Sequence, residues 1–209
     1  MGRTAKTLEQ HRLDGTFVPC RHAHLLESAN SVNAKPDTRR KAACGSPNKW
    51  IRGISDERAV AAGCWFDERL ANYAVNWFPK HLAHSKGEWN GKPFELMKWQ
   101  AEDIIAPLFG WVRPGETRRF RRTYIEIPKK NGKSTLASGI GLLMLAGDNE
   151  PAAHCFSAAT AKDQASIVHA EAIAMVESSE ALKDILKINY STRQISHKAS
   201  KSFYRAISS

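Results

Sequence analysis

Apolar positions along the chain separate an unpatterned first quarter from a patterned remainder. Residues 28–52, SANSVNAKPDTRRKAACGSPNKWIR, hold almost no large aliphatic side chains. They cannot bury enough apolar surface to offset the entropy of ordering, which predicts a flexible basic linker. Folding is expected from near Ser55, a helix-cap candidate. Over residues 64–84, Phe66, Leu70, Tyr73, Trp77 and Leu82 recur at helical spacing, predicting an amphipathic helix ended by Gly87 and Gly91. A second helix is predicted over residues 97–109, with Ile104, Ile105 and Leu108 on one face. Residues 111–117, WVRPGET, read as a turn, and 119–127 as a strand carrying Thr123, Tyr124, Ile125 and Ile127.

A polar loop over 128–132 then leads into a helix over 134–146, with Leu136, Ile140 and Leu143 along one face. Residues 151–159 read as a short buried strand, and Thr160 and Asp163 as a capping box opening a helix over 161–177. That helix repeats Ala165, Val168, Ala172 and Met175 on one side. Two successive strand–helix units imply an α/β fold with a parallel sheet. The remainder predicts two short strands, over 185–190 and 202–207, joined by a polar turn at 191–193.

Composition narrows the class. With 42% hydrophobic and 25% charged residues over 209 positions, the chain belongs with soluble globular proteins, and its length allows one domain with a tail or one domain and part of another. The longest uncharged apolar stretch, 139–147, is far shorter than the roughly 20 residues that cross a bilayer. No apolar signal-peptide core opens the chain, so no membrane partner and a location in the host-cell cytoplasm are expected. Cys20, Cys44, Cys64 and Cys155 form no C-x-x-C pair, which speaks against a disulfide framework or zinc ribbon. Cys20, His22 and His24 lack a second ligand pair at zinc-finger spacing. Charge is more telling. Against 21 acidic residues stand 31 basic ones, a net +10, and residues 1–52, with ten basic and four acidic, carry +6 of it. A second cluster comprises Arg118, Arg119, Arg121 and Arg122. This balance favours a polyanionic partner such as nucleic acid.

The sharpest motif is IPKKNGKST at 127–135, which puts Gly132, Lys133 and Ser134 at a strand-to-helix junction. Phosphate chemistry accounts for each residue type. Gly132 lets the backbone approach a phosphate without a Cβ, and the amides and dipole of the helix start stabilise the anion. Lys133 would reach the β- and γ-phosphates, the Ser134 hydroxyl would hold Mg²⁺ and Thr135 the α-phosphate. Ile127 stands where the common G-x-x-x-x-G-K-[ST] pattern has its first glycine. Upstream, in GKPFELMKWQ, the Gln100 amide can donate to and accept from one adenine edge, while Phe94 or Trp99 packs on the base.

From about Ser55 onward the chain resembles the large terminase subunit of tailed phages, in HSKGEWNGKPFELMKWQAEDIIAPLFGW, RRFRRTYIEIPKKNGKST, SAATAKDQASIVHAEAIAMV and SKSFYRAISS. The resemblance implies a P-loop NTPase-type parallel sheet flanked by helices, incomplete here, with a helical N-terminal subregion. It implies a basic flexible extension over 1–54 and part of the ATPase domain over 55–209. It makes Gln100 the adenine-binding glutamine and 129–135 a variant Walker A loop in which Lys130 and Asn131 precede Gly-Lys-Ser. Catalytic roles fall on Lys133 and on Lys129, the γ-phosphate sensor, and Thr160, Asp163 and Gln164 lie in the following strand–helix segment. ATP and Mg²⁺ are the implied cofactors. Double-stranded DNA, the portal, the small terminase subunit and a ring of identical copies are the implied partners in the complete protein. No apolar strand ending in Asp-Glu follows Ser134, so the chain is expected to stop short of its Walker B strand and to lack the family's nuclease domain. Two alternatives stay open: another P-loop nucleic-acid ATPase such as a helicase, and a non-catalytic basic nucleic-acid-binding protein.

Overall fold

The structure, a computed structural model, describes residues 49–148, 150–159 and 162–208. The basic segment 1–48 and the cap candidate Thr160 lie outside the described residues, as do the side chains of Asp163 and Gln164. Trp50, read from sequence as part of the linker, is buried and stacks on Phe66 at 4.2 Å.

Helix α1 (Ile54–Ala61) starts at Gly53 without a side-chain cap, so Ser55 is no cap. Instead the Ser55 carbonyl accepts from Arg119, whose guanidinium also pairs with Asp56 at 2.6 Å and lies 4.8 Å from the Trp111 and Phe120 ring centres. β1 (Trp65–Phe66) precedes α2 (Glu68–His81), which begins later than its periodicity predicts. Asp67 accepts from the Arg69 and Leu70 amides and so starts the helix, while Phe66 turns into the small sheet. The chain leaves α2 at Leu82, and Gly87 and Gly91 turn a hairpin over 82–94 instead of ending the helix.

A continuous helical segment follows. Its first part, Gln100–Ile105, is a π-helix, and α3 (Ala106–Gly110) completes it. Pro107 explains the widening, because its ring would collide with the Asp103 carbonyl in an α-helical turn. The turn expected at 111–117 is narrower than predicted: it is flanked by β2 (Trp111–Arg113) and β3 (Thr117–Arg118), antiparallel neighbours in the order β1-β2-β3.

Residues 119–127 depart from prediction. They form no strand: only Arg119 reaches a described strand, its amide donating to the Trp111 carbonyl of β2 at 2.9 Å, and burial alternates only at the end, where Ile125 and Ile127 turn inward while Tyr124 is 87% exposed. Helix α4 (Lys133–Leu142) runs on as a π turn through Gly147, where Tyr73 donates to the Gly147 carbonyl at 2.8 Å. β4 (His154–Ala159), α5 (Lys162–Glu177), α6 (Glu180–Ile185), β5 (Leu186–Asn189), β6 (Gln194–His197) and β7 (Phe203–Ser208) complete the chain.

The four-stranded sheet has the order β4-β7-β6-β5. Only β4 and β7 are parallel, the connection expected of a strand–helix unit, and β6 runs antiparallel to both its neighbours. The parallel sheet expected from sequence is therefore mixed, and β6 is a strand the sequence reading missed because its polar Gln194, Ser196 and His197 surround one buried Ile195. β4 is an edge strand with one face open, not a buried one; Phe156 is 47% exposed. The other face, with Tyr204, Ile195 and Leu186, packs into one core with α2, α4 and α5.

Helix α4 is held close. A Cβ on Gly139 would stand 2.5 Å from a Phe78 ring carbon. Gly139→Ala is expected to destabilise the chain by about 1–3 kcal/mol through overpacking, more than the roughly 1 kcal/mol that alanine gains in helix propensity. Urea denaturation of the two proteins measures the difference.

Candidate functional site

The loop before α4 is shaped by two left-handed residues, Lys130 (φ 69°) and Gly132 (φ 70°). Such turns gather backbone amides into a concave, anion-binding arrangement. Gly132 is also the N-cap of α4, and its carbonyl accepts from Leu136 at 2.8 Å in the first helical turn. No side chain caps this terminus. The amides of Lys133, Ser134 and Thr135 therefore have no acceptor within the helix and sit at the positive end of its dipole. Lys129, Lys130, Asn131 and Lys133 are exposed, and Ser134 and Thr135 half-buried. Among the described residues none of the three lysines makes an ion pair.

Gln100, 2% exposed, meets this loop from across the fold. Its Nε2 lies 3.9 Å from the point where a Cβ on Gly132 would stand, while its Oε1 accepts from the Met97 amide at 2.9 Å. The side chain is thus fixed with its NH₂ toward the loop and one carbonyl lone pair already used. Trp99 is half-buried against the main core. Phe94 is a core ring, 4% exposed, packed on Phe78 at 5.5 Å and His84 at 4.8 Å.

Helix α5 buttresses α4. The Ser138 hydroxyl, fully buried, lies 2.7 Å from both the Ser134 and Val168 carbonyls and shares its proton between the two helices. One turn on, Glu171 is buried and accepts from Ser85 Oγ at 2.6 Å and Lys86 Nζ at 2.7 Å. Burial alone would raise the Glu171 pKa, but the hydrogen bonds from Lys86 and Ser85 outweigh it and hold the carboxyl below its ordinary value. Ser85, Lys86 and Glu171 fall within stretches that carry the resemblance, but neither they nor Ser138 were given a role from the sequence; their burial and pairing reveal one.

The family model for the terminase large subunit ATPase domain matches residues 98–209, which include Gln100, the loop, α4, α5 and the four-stranded sheet. The chain belongs to the terminase large-subunit ATPase family. This favours the terminase over the helicase as the P-loop ATPase it resembles. A crystal structure of the HK97 bacteriophage large terminase is similar, with a TM-score of 0.56 and 25% identity. The match covers 66% of this chain and 27% of that one, so the terminase segment described here spans about a quarter of that relative's length. No curated protein sequence matches the chain. Among the described residues no helix of this terminase segment is long and apolar enough to cross a membrane.

On the far side of α5 the terminase segment buries His169, 2% exposed, whose Nε2 lies 3.3 Å from the Tyr204 carbonyl of β7. Burial lowers its pKa from 6.5. Because the folded value is depressed, the stabilisation is present above 6.5 and is lost as pH falls through the folded value. His169→Gln, which keeps an N–H donor, is expected to reduce the loss of unfolding free energy between pH 7 and about 5.5, read by urea denaturation at each pH.

Proposed function

We propose that this chain grips ATP with Mg²⁺ at the loop of residues 128–135 and, within a complete large terminase, contributes to ATP-driven packaging of double-stranded DNA. One observation carries this reading: the N-terminus of α4 is uncapped behind a left-handed Gly132, beside three lysines that make no ion pair among the described residues and the fixed amide of Gln100. The residues suit a polyphosphate. The first amides of α4 donate to phosphate oxygens, with the helix dipole adding to the attraction. Lys133, the first residue of α4, takes the β- and γ-phosphates, and Lys129 the γ-phosphate. Lys130 and Asn131 shape the loop, the Asn131 side-chain amide reaching the Lys129 carbonyl at 3.5 Å. Thr135 contacts the α-phosphate, and Ser134 Oγ is the metal ligand supplied by the loop. When bound, Mg-ATP supplies the scissile phosphoanhydride and the charge neutralisation its transfer needs.

For the base, Gln100 Nε2 donates and the second Oε1 lone pair accepts, a pattern matched by the N7/N6 edge of adenine, where guanine offers two acceptors. Trp99 packs beside the base. Phe94 was a candidate for that role, but its ring is enclosed by Phe78 and His84, so its part here is to support the segment leading to Gln100. DNA, the portal, the small subunit and a ring of copies are the partners proposed for the complete protein, in the host cytoplasm.

Titration with a fluorescent ATP analogue in Mg²⁺ tests the grip. Lys133→Ala is expected to weaken binding by at least about tenfold with an unchanged circular dichroism spectrum, in line with the roughly 1.5–3 kcal/mol of a charged hydrogen bond. Unchanged affinity would instead support the non-catalytic nucleic-acid-binding reading, in which the loop meets only backbone phosphate. Gln100→Ala is expected to weaken ATP more than GTP in competition. Affinity for duplex DNA is expected to fall steeply with salt, and less steeply once residues 1–48 are removed, because fewer counterions are then released.

A further inference from the structure

We infer that Glu171 is a positioning residue for base recognition: by clamping the hairpin of residues 82–94 onto α5, it fixes Gln100 against the phosphate loop. This rests on the nucleotide-binding reading above and assigns a role to a helix carboxylate and a hairpin to which the sequence reading gave none.

The contacts form a closed circuit. The hairpin is shut at its base by the Phe94 amide donating to the Leu82 carbonyl at 2.9 Å and by the His84 amide donating to Lys92 at 2.9 Å. Its first arm carries Ser85 and Lys86, and both reach Glu171. Its second arm ends in Phe94, which packs on His84 of the first arm and on Phe78 of α2. Six residues beyond Phe94, Gln100 meets Gly132. Helix α5 returns to the loop through Ser138, whose hydroxyl joins the Val168 carbonyl, one turn before Glu171, to the Ser134 carbonyl. The base-reading amide and the phosphate loop thus belong to two segments that α5 ties together, one through Glu171 and the other through Val168.

The pair has the character of a clamp and not of a surface ion pair. The Glu171 side chain is 7% exposed and that of Lys86 74%, so the carboxylate is anchored in the fold and the lysine is drawn to it from the hairpin. A buried carboxylate is stable only while its partners stay in place, which ties hairpin position to the charge of α5. Burying a charge for packing alone would be a poor arrangement, since an apolar side chain of similar size does it without desolvation. Registry between two segments is what a buried polar contact can supply and an apolar one cannot.

The test is base selectivity on the full 209-residue chain, as the ratio of dissociation constants for fluorescent GTP and ATP analogues in Mg²⁺. Glu171→Ala and Lys86→Ala are each expected to reduce that ratio by about fivefold or more, the scale of typical coupling between sites. Glu171→Gln, which still accepts from Ser85, is expected to restore part of it. A merely structural role would weaken both nucleotides alike and leave the ratio unchanged. Lys86 is exposed, so its variant keeps the question open to decision if Glu171→Ala fails to fold. Wild-type selectivity in folded Lys86→Ala overturns the inference. Lys133→Ala, titrated in parallel, separates the two failures. If it loses affinity while the clamp variants keep selectivity, only the clamp falls. If it binds as wild type does, the nucleotide-binding reading falls and the clamp with it.

Discussion

Close approach to helix α4 is the constraint on which the rest of the arrangement depends. At Gly139 the Phe78 ring of α2 comes so near that no side chain fits, and at Gly141 the Tyr204 ring of β7 leaves only 3.2 Å to the position of a Cβ. Just before them Ser138 is fully buried and bonds to α5. Three neighbouring elements therefore meet the helix at three small positions, Ser138, Gly139 and Gly141, within about one turn. A helix gripped in this way cannot slide or rotate, and the loop at its N-terminus inherits a fixed orientation.

That grip reconciles a rigid scaffold with an exposed, charged loop. Leu136 and Leu142 bury one side of α4 in the main core, while its first turn emerges with Lys133 exposed and Ser134 and Thr135 half-buried. Burial thus rises along the helix from its N-terminal end inward. The lysines of 129–133 have no described carboxylate beside them, although acidic partners elsewhere neutralise Arg118 through Asp148 and Arg119 through Asp56. The arginine cluster noted in the sequence accordingly divides: two members pin structure, and Arg121 and Arg122 stay exposed.

The second site element, Gln100, reaches the loop by a different physical device. Pro107 widens the helix that follows it into a π turn, and the Met97 amide holds its carbonyl oxygen. Both effects are local. What brings this segment to Gly132 is not local, because it depends on the hairpin, on α2 and on α5.

Local chemistry was legible in the sequence to a considerable depth. The loop GKST at a helix start, α5 with Ala165, Ala172 and Met175 facing inward and strands at 154–159 and 203–208 follow from residue types and spacing, since these depend on backbone geometry within a few residues; the family was legible as a resemblance of whole stretches, and which strands pair in parallel was not legible. The pattern failed where a residue's partner lies far along the chain. Phe66 has helical spacing but belongs to β1, because Asp67 caps the next helix and Trp111 supplies a neighbour. Residues 119–127 have strand composition, yet a strand exists only with a ladder partner, and beyond the Arg119 amide on Trp111 none of the described strands provides one. β6 has a polar composition and is a strand because β5 and β7 flank it. Glu171 read as one more helix carboxylate until Ser85 and Lys86, some 86 positions away for Ser85, came within hydrogen-bond reach. Periodicity records which face of an element is apolar; only the tertiary structure decides what that face, or a charge upon it, finally meets.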